Sequence, residues 1–320
     1  MRLVERLPFG SRYRLFKRRL HPITKEFGLT LYVLRKSKLA VLGALVISIF
    51  LFLALFGAKL APYDPIGVDI ANRFITPCAE HPFGTDKMGR DVLSRMMSGA
   101  QYSVRAGLVV LAISLPVGVI LGGIAGMYGG WVDETIMRVT DVFLAFPSLI
   151  LAMAFSAALG PSLFNAMMAL SVVWWPYYTR LIRGQALSVR ETSYVEAARS
   201  RGASNWHIMI RHILPNCFSA VLVTLTLDMG LIVIATAALS FLGFGAQPPI
   251  PEWGRMVSDG RIYLMQAWWV TVFPGMAIAF TVLGFNLLGD GIRDALDPKL
   301  RRLTEVKWKR GTVSSSSTSS

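Results

Sequence analysis

LAVLGALVISIFLFLALFGAKLA, residues 39–61, carries one charge, Lys59, two residues from its end. As a helix rising 1.5 Å per residue, the stretch is long enough to cross a hydrocarbon core of about 30 Å. In lipid every backbone N–H and C=O needs a partner, and within one segment only a helix supplies it. Five more apolar runs of spanning length follow, at residues 104–128, 142–159, 163–182, 218–242 and 268–288. The chain is 53% hydrophobic and 16% charged, where soluble domains carry about 25% charged residues. The runs predict an all-α fold: one polytopic membrane helical bundle of about six transmembrane helices, with tails.

Charge sets the expected orientation. A net charge of +14 could suit nucleic acid, but the basic residues are sorted by segment. Eleven Lys and Arg precede the first run, 6 fall in residues 177–216 and 7 follow residue 288, against 4 in residues 62–103 and 2 in residues 243–267. Such residues gather on the cytoplasmic side of a membrane. Both termini are therefore expected in the cytoplasm, in the inner (cell) membrane, with no nucleic-acid partner. Membrane lipid is the expected surroundings, and anionic lipid the other partner that the N-terminal charges would suit.

The predicted organisation is a basic cytoplasmic segment 1–38, a first transmembrane helix 39–61, an extracytoplasmic segment 62–103, a five-helix core 104–291 containing a cytoplasmic loop 183–216, and a tail 292–320. From about residue 311 the tail is nearly all Ser and Thr, with no apolar face to bury, and is expected to be disordered. No small-residue cleavage pattern follows the first run, so that helix is expected to act as its own insertion signal.

Several chemistries are excluded by what is missing. The phosphate loop G-x-x-x-x-G-K-[ST] is absent, there being no Gly-Lys pair, so ATP hydrolysis is not expected of this chain. H-E-x-x-H and G-x-S-x-G are absent too, and His21, His81, His207 and His212 are scattered. Cys78 and Cys217 lack CxxC spacing and any cluster of histidines at metal-ligand spacing, which predicts unpaired thiols and no metal site. An ion-coupled secondary transporter stands on topology alone, but such carriers need coupling acids or broken helices near mid-membrane, and the runs hold few candidates.

The loop segment SYVEAARSRGASNWHIMIRHILPN, residues 193–216, is too long for a simple turn. It reads as two short helices. Ser193 with Glu196 forms a capping-box pattern, and Gly202 supplies a break. Ser204 can cap the second helix, and Pro215 fits the first turn of the next span. Ala197 and Ala198 are small enough for a partner surface to approach closely, with Glu196, Arg199 and Arg201 as polar flanks. An ordinary amphipathic interfacial helix is the alternative reading.

This arrangement resembles the EAA signature of ABC importer permeases: Glu196, Ala197, Ala198, Gly202, Leu214 and Pro215 match it. His212 stands where the general pattern has Ile, but Arg211 to Asn216 match the run usual in the peptide-importer branch. Stretches 81–95, 141–152, 238–254 and 274–298 resemble the same branch, the C-type subunits of dipeptide, oligopeptide and nickel importers. The resemblance spans about residues 39–298 and implies a type I importer permease fold. It also implies that Ser193, Tyr194, Glu196, Ala197, Ala198, Arg199, Gly202 and Ala203 form a coupling helix that docks on an ATPase. The implied partners are a homologous second permease, two ATPase subunits and an extracytoplasmic substrate-binding protein. No cofactor is implied in this chain, ATP and Mg belonging to the ATPase subunits. Dipeptides or longer peptides are the first cargo expected, with nickel chelates and oligosaccharides as alternatives. One departure lies in the fifth run, where family members often carry Glu and this chain has Thr236.

Asp228, two turns before Thr236, sits mid-run, where an ionised carboxylate costs about 2.5–3.5 kcal/mol unless it faces protein or water. It reads equally as a pathway-lining acid or a structural hydrogen-bond partner, and Thr236 is the second pathway candidate. Gly118, Gly122, Gly126 and Gly130 recur every fourth residue, which predicts close helix packing, with a smooth pore wall as the alternative. Trp174, Trp175, Tyr177, Tyr178, Trp268 and Trp269 are expected in interfacial belts, with cargo contact as their alternative. The end of the 62–103 segment, residues 84–97, reads as a short surface helix. That segment reads either as a capping loop or, from the resemblance, as part of the surface that receives the binding protein.

Overall fold

The computed structural model describes residues 32–296. The basic stretch before residue 32 and the tail beyond Leu296, with its Ser/Thr-rich end, lie outside the described residues. Among the described residues every regular element is helical. The helices are α1 Lys38–Leu60, α2 Val92–Tyr128, α3 Gly130–Ala145, α4 Ser148–Leu159, α5 Leu163–Arg190, α6 Ser193–Ser200, α7 Asn205–Ile208, α8 Leu214–Phe241, α9 Trp253–Gly260 and α10 Trp269–Leu296. A π-helical turn, Met209–Ile213, joins α7 to α8.

Among the described residues four helices are long and apolar enough to cross a membrane: α1, α2, the continuous helix Asn205–Phe241, and α10. A bent pair, α3 and α4, makes a fifth if it is counted as one span. The 28-residue α5 also has spanning length, but it carries Arg180, Arg183 and Arg190. Its path runs among α2, α4 and α8, so protein rather than lipid surrounds much of it.

The described chain forms two units, residues 32–42 with 287–296, and residues 43–286. In the first, the Ser37 hydroxyl accepts a hydrogen bond from the Ala40 N–H at 3.3 Å at the start of α1, and the Lys36 ammonium lies 4.6 Å from the Tyr32 ring centroid.

The second holds the core. Here α2 lies against α5, and the glycine stripe is the reason. A Cβ at Gly118 would overlap the Tyr178 side chain, one at Gly122 would meet the Thr179 carbonyl, and one at Gly126 would strike Ala186. The stripe thus serves helix packing at three positions. Gly130 stands apart, at the start of α3, with open space beside it. Around this contact Val110, Leu170, Val173, Tyr178, Ile232 and Leu239 form one buried cluster. Salt bridges tie α3 to α5: both Asp133 carboxylate oxygens accept from Arg183, and Asp141 accepts from Arg180 at 2.6 Å.

The structure corrects four sequence expectations. The run at 142–159 is not one straight helix: α3 and α4 meet at 89°. Pro147 has no N–H to donate and holds Phe146 in extended backbone, φ −90° and ψ 142°, so one helix ends and another starts. The surface helix at 84–97 is instead the start of α2, which begins at Val92 inside the segment assigned as 62–103, because the Asp91 carboxylate caps it by accepting from the Ser94 N–H at 2.7 Å. The run ending at Ile182 continues as helix to Arg190, which moves the start of the loop from 183 to 191. For the same reason Trp174 and Tyr178 lie in the middle of α5, buried in the core and not in an interfacial belt. Trp269 is buried as well, donating its indole N–H to the Thr85 carbonyl at 3.1 Å, while Trp268 is half-exposed.

Candidate functional site

Between α5 and α8 the chain makes a compact double turn. The expected capping box does not form: Thr192 is the N-cap of α6, and its hydroxyl donates back to the Val189 carbonyl at 2.6 Å instead of capping. The helix ends in a Schellman motif, with the Gly202 N–H on the Arg199 carbonyl at 2.9 Å and the Ala203 N–H on the Ala198 carbonyl at 3.1 Å. Gly202 has φ +82° and open space around it, so backbone conformation, and not crowding, demands glycine there. Ser204 caps α7 as expected, its oxygen accepting from the His207 N–H at 3.3 Å.

The eight residues of α6 divide cleanly by face. Val195 and Ala198 are buried with Ile182, Ala186, Ile208 and Ile213. Ser193, Tyr194, Glu196, Ala197 and Arg199 are exposed, Gly202 also, and Ala203 is half-buried. Sequence reading treats Ala197 and Ala198 alike as open to a partner. The structure leaves only Ala197 so. Beside the exposed face lies a polar cleft of about 620 Å³, lined in part by Arg190, Glu191, Glu196 and Arg199. Arg190 is fixed there by donating to the Gly126 and Met127 carbonyls at 3.2 and 3.4 Å, which satisfies the end of α2.

Asp228 is at the midpoint of α8, 8% exposed. Its Oδ2 accepts from the Tyr178 O–H at 2.5 Å, a contact of the kind the structural reading of this acid expects. The same residue lines an open cavity of about 540 Å³, together with Trp174, Tyr177, Thr224 and Leu231. Thr236 is buried two turns on and is absent from the wall of that cavity; its hydroxyl has no hydrogen-bond partner among the described residues. The pairing of Asp228 with Tyr178 escapes sequence reading because the aromatic run WWPYY was assigned to a helix end. A helix continuing to Arg190 puts it at mid-span.

A second polar assembly sits at the start of α2. Asp86 accepts from the Met88 and Arg90 N–H groups at 2.8 and 3.1 Å and from Arg90 Nε at 2.7 Å, with Arg95 Nε at 3.6 Å. Arg95 also donates to the Pro65 carbonyl at 2.9 Å. Asp91 binds His81 Nδ1 at 2.9 Å while capping α2. Asp259 of α9 pairs with Arg255 at 3.2 Å and Lys87 at 3.6 Å. Fully buried Glu252 caps α9 through the Gly254 and Arg255 N–H groups. Burial pushes its carboxyl up, and those N–H donors with Ser240 pull it down. Sequence reading marked stretches 81–95 and 238–254 by resemblance alone and gave no sign that their charges are buried, although the Asp86/Arg90 spacing of four is one that could have.

Residues 118–302 match the family described as binding-protein-dependent transport system inner membrane component, and residues 27–77 match the N-terminal TM domain of oligopeptide transport permease C. A probable D,D-dipeptide transport system permease protein of Escherichia coli K12 is 50% identical over 84% of this chain and 90% of its own length. A dipeptide transport system permease protein of Alkalihalophilus pseudofirmus is 45% identical over 84% and 88%. A glutathione transport system permease protein of Pectobacterium atrosepticum is 42% identical over 83% and 89%. The first family match covers more than half the chain, and these relatives align along nearly their whole lengths. This chain is a multi-pass inner-membrane permease of the ABC importer class, in the dipeptide/oligopeptide family of binding-protein-dependent transport components.

Proposed function

We propose that the chain forms half of the translocation pathway of an ATP-driven importer of dipeptides or oligopeptides. It works with a homologous permease, two ATPase subunits and an extracytoplasmic binding protein, and both its termini are cytoplasmic. Peptide cargo is favoured over nickel chelates or oligosaccharides because the aligned relatives are named for a D,D-dipeptide, a dipeptide and glutathione. An ion-coupled carrier has no support from the family.

The observation that carries the coupling role is the two-faced α6. Val195 and Ala198 root it in the bundle, and Tyr194, Glu196, Ala197 and Arg199 stay outside beside a polar cleft. A helix gripped by its own core on one side moves as a body with whatever grips the other. Because α7, the π turn and α8 form one unbroken helix, Asn205–Phe241, displacement of the double turn reaches the mid-membrane stretch holding Asp228. ATP binding in the partner subunits would close them, carry the double turn along and alternate the exposure of the pathway.

The test is one pair of neighbouring substitutions. Ala197→Trp should strip the ATPase from the purified complex and lower ATP-dependent peptide uptake more than tenfold, while the permease pair remains assembled with its melting temperature within about 2 °C. Ala198→Trp should instead destabilise the permease itself, since overfilling a packed core costs about 1–3 kcal/mol. Retention of the ATPase and full uptake in Ala197→Trp would overturn the docking assignment.

A further inference from the structure

We propose that the cavity beside Asp228 is a transit site for the α-ammonium group of the cargo; the inference rests on the importer reading above. The polar part of the cavity wall is one carboxylate, Asp228, with the hydroxyls of Ser148, Tyr177 and Thr224 and the indole of Trp174; the rest is aliphatic. Asp228 is nearly buried, and among the described residues no Lys, Arg or His lines its cavity. The Tyr178 O–H at 2.5 Å fixes the carboxylate but brings no positive charge. Thr224 gives its proton to the Ala220 carbonyl at 3.0 Å, which leaves its oxygen with lone pairs for an incoming N–H. Trp174 and Tyr177, with ring centroids 6.1 Å apart, line the same cavity, and the Trp174 indole also hydrogen-bonds to Asp228; aromatic rings in such a wall attract a cation.

The cavity thus offers acceptors and π faces, and the complementary ligand is a compact hydrogen-bond-donating cation. A volume of about 540 Å³ lies within the usual range for small-molecule sites, so it admits an ammonium with the residue attached to it. A carboxylate kept at the centre of an apolar helix marks a pathway when it has no cationic partner of its own. Peptides with a free amino terminus bring that partner, and release it on passing.

The probe is a cysteine at Leu231, which lines the cavity one turn from Asp228, in a Cys78→Ser/Cys217→Ser background of the complete importer in proteoliposomes. Two thiol reagents are compared, 2-aminoethyl and 2-sulfonatoethyl methanethiosulfonate, each normalised to its rate with a free thiol. The ammonium reagent should react about tenfold faster than the sulfonate. Asp228→Asn should bring the ratio near one, and Asp228→Glu should largely keep it. A dipeptide at millimolar concentration should slow the ammonium reagent in protein with Asp228 intact, and the same dipeptide acetylated at nitrogen should not. That second measurement needs no change at Asp228, so it stands if Asp228→Asn fails to fold. An unchanged ratio in Asp228→Asn, equal protection by both peptides, or equal protection by sodium chloride would each overturn the proposal. Uptake that does not depend on ATP would instead overturn the importer reading, leaving the charge preference measurable.

Discussion

At the Asp91 end of α2 the side chains of Asp86, Arg90 and Arg95 are buried and paired with one another; beside the Tyr128 end Glu196 and Arg199 of the double turn are left outside. The helix has 37 residues, so about 55 Å separates the two ends. At the first, Asp86, Arg90 and Arg95 have side chains 7%, 8% and 3% exposed, and each already has its partner. At the second, α6 is held by apolar contacts and a backbone motif, and Glu196, Arg199 and Arg201 stay exposed, with none of them in an ion pair among the described residues. Charges satisfied inside the chain lock its own loops. Charges left outside remain free to meet another protein, and the comparison therefore predicts opposite responses to charge removal.

The largest effect is expected at Asp86. Asp86→Ala leaves the Arg90 and Arg95 guanidiniums in a closed, desolvated place without their carboxylate. Breaking a buried pair from one side costs about 3–5 kcal/mol. The purified permease pair should melt more than about 5 °C lower in detergent, and yield should fall with it. A melting temperature within about 2 °C of the unaltered protein would show that the network is wetter and looser than its geometry, and the contrast between the ends would lose its physical basis.

The two ends were unequally legible in the sequence. Apolar runs are decided by composition over some twenty positions, so α1, α8 and α10 begin and end within a few residues of expectation, except where α10 continues past Leu288 to Leu296. The double turn was legible because its signals are local: Ser204 is a cap and Gly202 a left-handed stop, whereas Pro215, read as a helix start, lies inside the continuous helix Asn205–Phe241. The buried charge network was not, since a charged residue in a polar-looking loop carries no mark of burial until Pro65, Asp259 and Arg95 are brought together from distant segments. Ala197 and Ala198 show the same limit at finer scale. Adjacent alanines look alike in a motif, and only the helix phase, set by Val195 and the core beneath it, decides which one faces out.

An intermediate effect is expected at Gly202, where the demand is on the backbone alone. A β-branched side chain at φ +82° costs about 1–2 kcal/mol, with no compensating contact in the open space around it. Gly202→Val should cut uptake several-fold by reorienting α6 against α7, with a smaller loss of thermal stability than Asp86→Ala. Gly202→Asn, which tolerates the left-handed region better, should recover most of the uptake. Equal uptake by both variants at the unaltered level would mean that the angle between the two short helices does not matter for coupling.

The smallest structural effect, and the sharpest use of the comparison, is expected from removing charge at the double turn. Glu196→Gln with Arg199→Gln takes two exposed charges from the rim of the polar cleft and leaves Val195, Ala198 and the Gly202 hydrogen bonds as they are. Exposed substitutions of this kind leave stability within about 0.5 kcal/mol, so the melting temperature should move by no more than about 2 °C. Affinity for the ATPase should nevertheless fall about tenfold, because charges at the edge of a contact steer and fix a partner even where they do little for the fold. The two readings separate in one preparation: calorimetry of the permease pair, and binding of the ATPase to the same material at two salt concentrations. A weakened, less salt-sensitive association with unchanged melting supports a surface that keeps its charges for a partner. Lower melting with unchanged association would reverse the assignment, making the exposed charges part of the fold and sending the search for the ATPase contact elsewhere on the bundle.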